Sequence, residues 1–233
     1  MMKKILVLGL SLFGAGASNV LAQEGEGGIS FDGLVPVEDP SVAAAYIDPE
    51  ADFSVFQRVA ILDPFVAFRS NWQRDQNRSR TSRVSANDME RIKADVAHLF
   101  KQVFTERLEA DGGFEVVNGA NTDVLLLRPA IIDLDITAPD TMRAGRSRTF
   151  TASSGAATLY LELFDSLSGQ IIGRAVDRQG VRSAGGTVSW SSRVTNSADA
   201  QRIFGRWADT LRDFLDRHYT PGSGAQGAAE SQD

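Results

Sequence analysis

Arginine is the residue type in this chain whose number and spacing most clearly suggest a binding chemistry. The chain holds 20 arginines and four lysines, two of which stand at positions 3 and 4. A guanidinium group is a planar fork of hydrogen-bond donors that suits carboxylates and phosphates. A general preference for arginine over lysine would give the same number. The arginines nevertheless cluster in three polar segments, 69–85, 138–154 and 181–196, which are therefore the first candidates for a binding surface.

If the sheet runs as predicted, the second and third of these segments leave the same end of it. Together they would form an anion-binding or partner-binding patch with a tryptophan as its apolar centre. Its residues are Arg143, Arg146, Arg148, Arg182, Arg193 and Trp190. The alternative is that these arginines are solvated or paired with local aspartates.

The segment 69–85 supplies a second candidate, with Arg69, Trp72 and Arg74 as its site residues. The segment has no hydrophobic period, so we predict a long loop, which is uncommon inside a compact domain unless it is functional or disordered. We expect this loop to leave the opposite end of the sheet.

Three aspartates are candidates for metal binding or acid-base chemistry. Asp133 and Asp135 alternate with apolar residues in one predicted strand, so both are expected to point the same way, towards Asp140. A calcium loop would also need a glycine and a bidentate glutamate at fixed spacing, which are absent. Paired carboxylates could hydrolyse a glycoside, but the sequence does not indicate the necessary cleft. A solvated sheet face is the favoured interpretation, so we predict no metal and no cofactor.

Nucleophilic catalysis needs a base beside the nucleophile, and the only histidines are His98 and His218. His98 falls among the polar positions of a predicted helix, and His218 falls in the last turn of another, where the helix dipole favours a cation. After residue 22 there is no Gly-x-Ser-x-Gly motif and no phosphate-binding loop. No catalytic residue is predicted, and an enzyme is the weaker hypothesis.

Residues 1–22 have the three regions of a secretory signal: a basic start at Lys3 and Lys4, an apolar run, and small residues before Gln23. The apolar run is shorter than the roughly 20 residues that span a bilayer. We predict cleavage near Ala22 and a periplasmic or secreted protein with no transmembrane segment in its mature chain. There is no cysteine, which excludes disulfides, thiol chemistry and a lipoprotein.

Removal of residues 1–22 leaves 22 basic against 30 acidic residues, a net charge of −8. That balance argues against nucleic acid or an anionic membrane as a bulk electrostatic partner. The glycine-rich leader 23–28 and the tail 220–233 are predicted to be disordered. The remaining 29–219 is long enough for a single domain with its own core.

Two amphipathic helices are predicted. The first begins with a capping box at Ser85 and Asp88, carries apolar residues at steps of three and four, and ends at Gly112 and Gly113. The second begins near Ser197. Each has one apolar stripe, so each must lie on a sheet.

The predicted strands cover 56–68, 114–117, 124–137, 156–164 and 170–179, and the last two form a hairpin. The strand 124–137 starts with apolar residues on both faces, which is typical of a central strand. Pro129 predicts a bulge or an unpaired position within it.

The predicted order is therefore β-α-β-β-β-β-α. The simplest arrangement is an α+β two-layer sandwich, in which one mostly antiparallel, mixed sheet of about five strands carries both helices on one face. A right-handed crossover would make the first two strands parallel.

Four stretches together resemble the bacterial secreted proteins known as domain-of-unknown-function family 3313. They are FDGLVPV at 31–37, VAFRSNWQRDQNR at 66–78, DVLLLRPAIIDLDITAPDTM at 123–142 and LYLELFDSLSGQIIGRAVDR at 159–178. The resemblance covers roughly 29–219. It implies an envelope protein of a Gram-negative bacterium. Many relatives look like lipoproteins with a cysteine after the signal, which this chain lacks, and the family implies no activity.

These observations favour a non-enzymatic binding or interaction module that binds an envelope protein or an anionic envelope component through its long loops. One alternative is a periplasmic enzyme that uses Asp133, Asp135 and the loop arginines; another is a structural subunit that oligomerises through sheet edges. An enzyme requires a deep pocket with perturbed carboxylates, a binder an exposed basic or apolar patch, and an oligomer an open strand edge. The sequence does not indicate the oligomeric state.

Overall fold

A computed structural model describes residues 32–78, 83–136, 156–180 and 193–218 of the chain. These residues form one mixed sheet of eight strands and three α-helices. The strands are β1 (Val35–Val37), β2 (Ala44–Ile47), β3 (Arg58–Ile61), β4 (Phe65–Phe68), β5 (Glu115–Val117), β6 (Val124–Asp135), β7 (Ala156–Asp165) and β8 (Ile171–Gly180). The helices are α1 (Trp72–Arg78), α2 (Ala86–Glu109) and α3 (Arg193–His218).

β6 is the central strand, as its apolar start predicts. One side of β6 pairs with β7 in the antiparallel direction, and the other side pairs first with β3 and then with β4, both parallel. The strand order is β1-β2-β8-β7-β6-β3-β5, with β4 following β3 along the same side of β6. The predicted hairpin is β7 and β8, and β3 and β5 are parallel as expected.

The predicted strand 56–68 is two strands, because Pro64 lacks the N–H group that a continuous ladder would use. Pro129 lies opposite this break: Leu127 pairs with Ile61, and Ala130 pairs with Phe65. The predicted unpaired position is therefore found on this side, whereas on the other side β6 and β7 stay in register through Pro129 without a bulge. The register shift between these two strands lies further on, after Ile132.

Side-chain caps fix both ends of α2. The Ser85 hydroxyl accepts the Asp88 N–H at 3.2 Å, while the Asp88 carboxylate accepts the Ser85 N–H at 2.9 Å, so the predicted capping box is confirmed. At the other end, Arg212 of α3 donates from Nη1 to the carbonyl oxygens of Leu108 at 2.9 Å and Ala110 at 3.0 Å. The same carbonyls accept backbone N–H groups as well, Leu108 that of Phe114 at 2.8 Å and Ala110 that of Gly113 at 3.1 Å.

One hydrophobic core joins α2 and α3 to a single face of the sheet. Phe104 of α2 stacks on Phe100, which meets Phe204 of α3 edge to face at 5.4 Å. The sheet contributes alternate aliphatic residues of its central strands, namely Leu125, Leu127, Ile131, Leu159, Leu161 and Leu163. Trp207 of α3 is also buried there, and its Nε1 donates to Asp177 of β8 at 2.8 Å.

The α+β class is confirmed, with both long helices in one core on one sheet face. The sheet has eight strands in place of about five, and α1 is an additional helix. β1 and β2 contain only three and four residues, too few for a recognisable alternation. None of the described helices combines the length and the apolar character needed to cross a membrane.

Candidate binding surface at the arginine end of the sheet

Four strand termini meet at one end of the sheet, which we call the arginine end. The last residue of β6, Asp135, is level with the first of β7, Ala156, and Ala156 is level with Gly180 at the end of β8. The connections 136–155 and 181–192 therefore depart from this end, as the sequence predicts.

The segment after β4 also departs from the arginine end, so its predicted exit at the opposite end is wrong. β4 runs parallel to β6 and Phe68 is level with Leu134. The Arg69 N–H then donates to the Leu134 carbonyl at 3.1 Å. An exit at the opposite end would require the strand 56–68 to run antiparallel to β6, whereas β3 and β4 both run parallel to it.

Most residues of the first predicted patch lie outside the described part of the chain. This holds for Arg143, Arg146, Arg148, Arg182 and Trp190. Arg193 is the first residue of α3, the helix that follows the connection from β8. Its side chain also lies outside the described part of the chain. The patch remains a prediction that rests on the shared end of the strands.

Arg69 joins two carboxylates of different elements. It pairs with Asp75 of α1 at 2.8 Å and with Asp135 of β6 at 2.9 Å. The hydrogen bond to Asp75, and to a lesser extent the one to Asp135, raises the pKa of Arg69. The hydrogen bond between Arg69 and Asp75 also holds the pKa of Asp75 below its ordinary value. Arg69 is thus an internal ion-pair partner that positions α1 against the end of β6.

Trp72 is a buried packing residue, and its predicted place in an exposed binding loop is wrong. Only 1% of it is exposed, and its ring stacks on Phe68 with the centroids 3.9 Å apart. Its Nε1 donates to the Ile136 carbonyl at 2.7 Å. With Val84 it forms a small second core, against which Met89 and Ile92 of α2 also pack.

The predicted loop 69–85 therefore contains a helix that is fastened at both sides. Asn77 accepts the Val84 N–H at 2.7 Å, and Gln73 donates to the Val84 carbonyl at 3.0 Å. The side chains of α1 thus take the place of a regular backbone partner for the chain at Val84, which hydrophobic periodicity cannot reveal. These contacts hold α1 in a fixed position, so its solvent-exposed side chains stand on a rigid element.

α1 presents arginines to solvent. Arg74 is 63% exposed in its side chain, and its nearest carboxylate, Asp75, lies at 3.8 Å. Arg78 is one turn further and is exposed, as is Arg83 beyond the helix. Because residues four apart share a helix face, Arg74 and Arg78 form a basic surface beside the arginine end.

A second charged cluster, which the sequence analysis missed, lies on the sheet face away from the helices. We call it the Glu162 cluster; it contains Asp32, Arg128, Glu162 and Arg174. Arg128 donates from Nε to Glu162 at 2.6 Å, and Arg174 reaches the other Glu162 oxygen at 3.3 Å and also pairs with Asp32. Two guanidinium groups balance two carboxylates, so the cluster fastens strands to one another and is not an open anion site.

The environment of the Glu162 cluster is partly desolvated. Glu162 is 7% exposed, and Arg174 Nε has no hydrogen-bond partner, the one such buried side-chain nitrogen or oxygen in the described ranges. Burial raises the pKa of Tyr160, whose hydroxyl lies 3.4 Å from Glu162. For Arg174, burial is the largest single influence and opposes the charge, but the hydrogen bonds to Asp32 and Glu162 and the nearby charges together outweigh it and raise the pKa. The sequence signal for this cluster was Glu162, the single charged residue in the otherwise apolar run 159–164.

The aspartates proposed for acid-base or metal chemistry do not converge. Asp133 has a positive φ of 51° within the register shift of β6, and it lies 4.0 Å from Arg178. Asp135 instead pairs with Arg69. The two carboxylates therefore have different arginine partners, and Asp140 lies outside the described residues. Over the described residues there is no group of three potential metal ligands.

The fold and this surface define a class: a two-layer α+β protein, with one sheet face under two long helices and a basic helix at one end of the sheet. The chain belongs to the family described as "Protein of unknown function (DUF3313)", whose model matches residues 24–211. This confirms the resemblance drawn from the four sequence stretches. No protein in the curated set matches the chain.

Several solved structures are similar at low sequence identity. The PelC dodecamer from Paraburkholderia phytofirmans is 13% identical, with 70% of this chain and 91% of that chain covered and a TM-score of 0.39. A hypothetical protein from Chlamydia trachomatis is 13% identical, with 68% and 98% covered and a TM-score of 0.38. A putative neuraminyllactose-binding hemagglutinin homolog from Helicobacter pylori is 12% identical, with 70% and 91% covered and a TM-score of 0.34.

Proposed function

We propose that the protein is a non-enzymatic binding module of the bacterial envelope, which recognises an anionic envelope component or an acidic surface of an envelope protein at the arginine end. The observation that carries the proposal is the exposed pair Arg74 and Arg78 on α1, which stands beside the origin of both arginine-bearing connections. The bound group would be a carboxylate or a phosphate, because guanidinium forks match both.

The rigidity of α1 supports a binding role. Arg69 holds α1 to β6 through Asp75 and Asp135, and Trp72 is buried beneath the helix. Exposed arginines on a fixed element lose less conformational freedom when they bind than arginines on a free loop. Arg143, Arg146, Arg148, Arg182 and Arg193 belong to the proposal as residues of the adjoining connections, with Trp190 as the proposed apolar centre.

The overall negative charge limits what the surface can recognise. With a net charge of −8 after the signal, the whole molecule repels nucleic acid and strongly anionic membranes. Binding would therefore depend on local contacts shorter than the Debye length of about 8 to 10 Å, and added salt would weaken it.

A binding assay with two arginine pairs tests the proposal. The full chain is incubated with an envelope extract and with vesicles that contain either anionic or only zwitterionic phospholipid. We expect Arg74→Gln with Arg78→Gln, and separately Arg146→Gln with Arg148→Gln, to reduce retention about tenfold, which corresponds to about 1.4 kcal/mol. Arg107→Gln with Arg217→Gln is the matched control, because both arginines are more than half exposed at the far ends of α2 and α3.

The two ligand sources give different outcomes. Retention by anionic vesicles alone would identify a phospholipid headgroup, and retention by the extract alone would identify a protein or a polysaccharide. If both arginine pairs can be removed without a loss of binding, or if the control pair matters equally, the arginine end is not the binding surface.

Export is the second part of the proposal. The basic start, apolar run and small residues of 1–22 support cleavage near Ala22 and a periplasmic or secreted protein. Mass spectrometry of the protein from a periplasmic fraction should find an N-terminus at Gln23. An intact N-terminus in the membrane fraction would contradict it.

A further inference from the structure

An asparagine followed by glycine lies in the connection between β5 and β6. Asn118 comes directly after Val117, the last residue of β5, and is the only asparagine of the chain that glycine follows. Asn118 and Gly119 are both exposed, and neither belongs to a helix or a strand. Asparagine and glycine are frequent in turns, and glycine has no Cβ atom that would shield its own backbone nitrogen. The nitrogen of Gly119 can therefore approach the side-chain amide of Asn118.

The surrounding structure does not restrain these two residues. Within the part of the chain that the structure describes, no hydrogen bond engages the Asn118 side chain or the Gly119 N–H. The connection is held only further on, where the Asn121 N–H donates to the Ser166 hydroxyl at 3.1 Å and this hydroxyl donates to the Asn121 carbonyl at 2.9 Å. Apart from its two chain neighbours, no atom lies within 4 Å of the Cβ position at Gly119. The amide of Asn118 and the nitrogen of Gly119 are thus free to meet in the folded protein.

Two other asparagines of the described chain do not have this freedom. The Asn77 side chain accepts the Val84 N–H at 2.7 Å and donates to the Val84 carbonyl at 3.3 Å, and its residue lies within the hydrogen-bonded backbone of α1. Asn121 lies in the same connection as Asn118, but it is followed by Thr122, whose branched Cβ atom crowds the backbone nitrogen. Asn77 and Asn121 are therefore internal controls for the chemistry of Asn118.

We propose that Asn118 is a site of spontaneous deamidation in the folded protein, with water as the only co-reactant. The Gly119 nitrogen loses its proton to hydroxide and attacks Cγ of Asn118, so that a bond forms between this nitrogen and Cγ. The bond from Cγ to the amide nitrogen then breaks, and that nitrogen takes up a proton from water and leaves as ammonia, which regenerates hydroxide. The step joins groups of adjacent residues and so needs no encounter with a second large molecule.

Water opens the resulting cyclic imide in one of two directions. Cleavage of the new bond between Cγ and the Gly119 nitrogen leaves aspartate at position 118. Cleavage of the original peptide bond leaves isoaspartate, in which the backbone passes through the side-chain carbon atoms. The net reaction exchanges an amide and water for a carboxyl group and ammonia, without oxidation or reduction. Since a carboxyl group is ionised at neutral pH, either product adds one negative charge to the protein.

The modified protein retains its fold. Asn118 lies outside the hydrophobic core and outside both strands, since β5 ends at Val117 and β6 begins only at Val124. The new carboxylate is exposed to water, so no charge is buried without a partner. The product therefore accumulates as a more acidic form of the folded protein.

Peptide mapping by mass spectrometry, after incubation of the purified full chain at neutral and at mildly alkaline pH, tests the proposal. We expect the peptide with Asn118 to acquire the mass difference between an amide and a carboxyl group. The rate should rise with pH, because the attacking nitrogen must first lose its proton. Electron-transfer fragmentation assigns the site and distinguishes isoaspartate from aspartate, and Asn77 and Asn121 should stay unchanged over the same period.

Two variants and an unfolded reference separate the chemistry from the fold. Asn118→Ser should abolish the acidic form, and Gly119→Ala should slow its appearance several-fold, because the added methyl group shields the nitrogen. Gly119→Ala should keep the urea midpoint of the wild type, since the methyl group has open space. The wild-type chain unfolded in urea gives the rate without tertiary structure, and the native rate should lie within several-fold of it. A native chain that stays intact at Asn118 while the unfolded chain is modified, a Gly119→Ala variant as fast as the wild type, or equal modification of Asn121 would each overturn the proposal.

Discussion

Trp72 shows how one side chain can decide the character of a whole segment. The residues around it are polar, and a lone tryptophan among arginines suggested a binding loop. Its ring instead fills a small core with Val84, and its N–H satisfies the Ile136 carbonyl at the point where β6 ends. The indole thus converts a polar stretch into a fixed helix on the sheet.

Truncation of Trp72 should therefore reduce stability by a large amount. We expect Trp72→Ala to lower the free energy of unfolding by about 3 to 5 kcal/mol through the cavity it leaves. Trp72→Phe should lower it by about 1 to 3 kcal/mol, because the Ile136 carbonyl loses its donor. Urea titrations measure both, and Arg74→Gln on the same helix should change the value by less than about 0.5 kcal/mol.

The ion pair between Arg69 and Asp75 predicts a pH dependence. Because the hydrogen bond from Arg69 lowers the pKa of Asp75 in the folded state, its contribution is fully present above the unfolded pKa, about 3.9. It is lost as the pH falls through the lower folded value. The urea midpoint of the wild type should fall in this acidic range, and Asp75→Asn should flatten part of that decline.

Arg69→Gln provides the control for the cause of the shift. It removes the partner of Asp75, so it should flatten the same acidic range, and adding Asp75→Asn should then change the slope little further. If Asp75→Asn leaves the acid profile as steep as in the wild type, the ion pair does not contribute to stability.

At the scale of elements, the end of α2 depends on a tightly packed turn. Gly113 follows the helix, and Arg212 of α3 passes directly beside it to reach the Leu108 and Ala110 carbonyls. A Cβ atom at Gly113 would lie 1.9 Å from Arg212 Nη1 and 2.2 Å from the Leu108 carbonyl oxygen. The glycine is needed for this close approach between the two helices.

We expect Gly113→Ala to destabilise the protein by about 1 to 3 kcal/mol, as overpacking of a close contact usually does. Gly119→Ala is the matched control, because no atom lies within 4 Å of the Cβ position there and its effect should be small. Thermal unfolding of both variants measures the difference. Equal melting temperatures would show that Arg212 can move aside without cost.

An element could be predicted from the sequence where the residues that determine it lie close together in the chain. α2 was predictable to its cap, because Ser85, Asp88 and the apolar spacing are all local. The residues of β4 fell within the predicted strand 56–68, but its separation from β3 was not predicted, because its partner is the distant second half of β6. For the site, cross-strand register placed Arg128 and Arg174 beside Glu162, and register depends on pairing that no local pattern determines.

At the scale of the whole molecule, a single core joins both long helices to the sheet. Residues from the strands, from both long helices and from the segment before β3 form one cluster, which extends from Phe53 to Leu215 near the end of α3. No described element carries a separate large core, since the Trp72 cluster shares Phe68 and Ile136 with the main one. The structure therefore predicts cooperative unfolding of all described elements.

Far-ultraviolet and near-ultraviolet circular dichroism should record the same single transition in urea. Phe104→Ala, at the contact between α2 and α3, should lower the midpoint by the same amount in both signals, with a loss of about 3 to 5 kcal/mol. Two separated transitions would indicate that part of the sheet is stable without the helices.

The order of strands also has a consequence for the speed of folding. β2 forms its ladder with β8, so Ala44 must find Val176, and β3 must wait for β5 and β6, which begin at Glu115 and Val124. Contacts between such distant positions slow the search for the native state. An emerging chain would thus expose apolar strands such as β6 until β7 and β8 have been delivered. A chaperone that holds the incomplete sheet should raise the yield of folded protein.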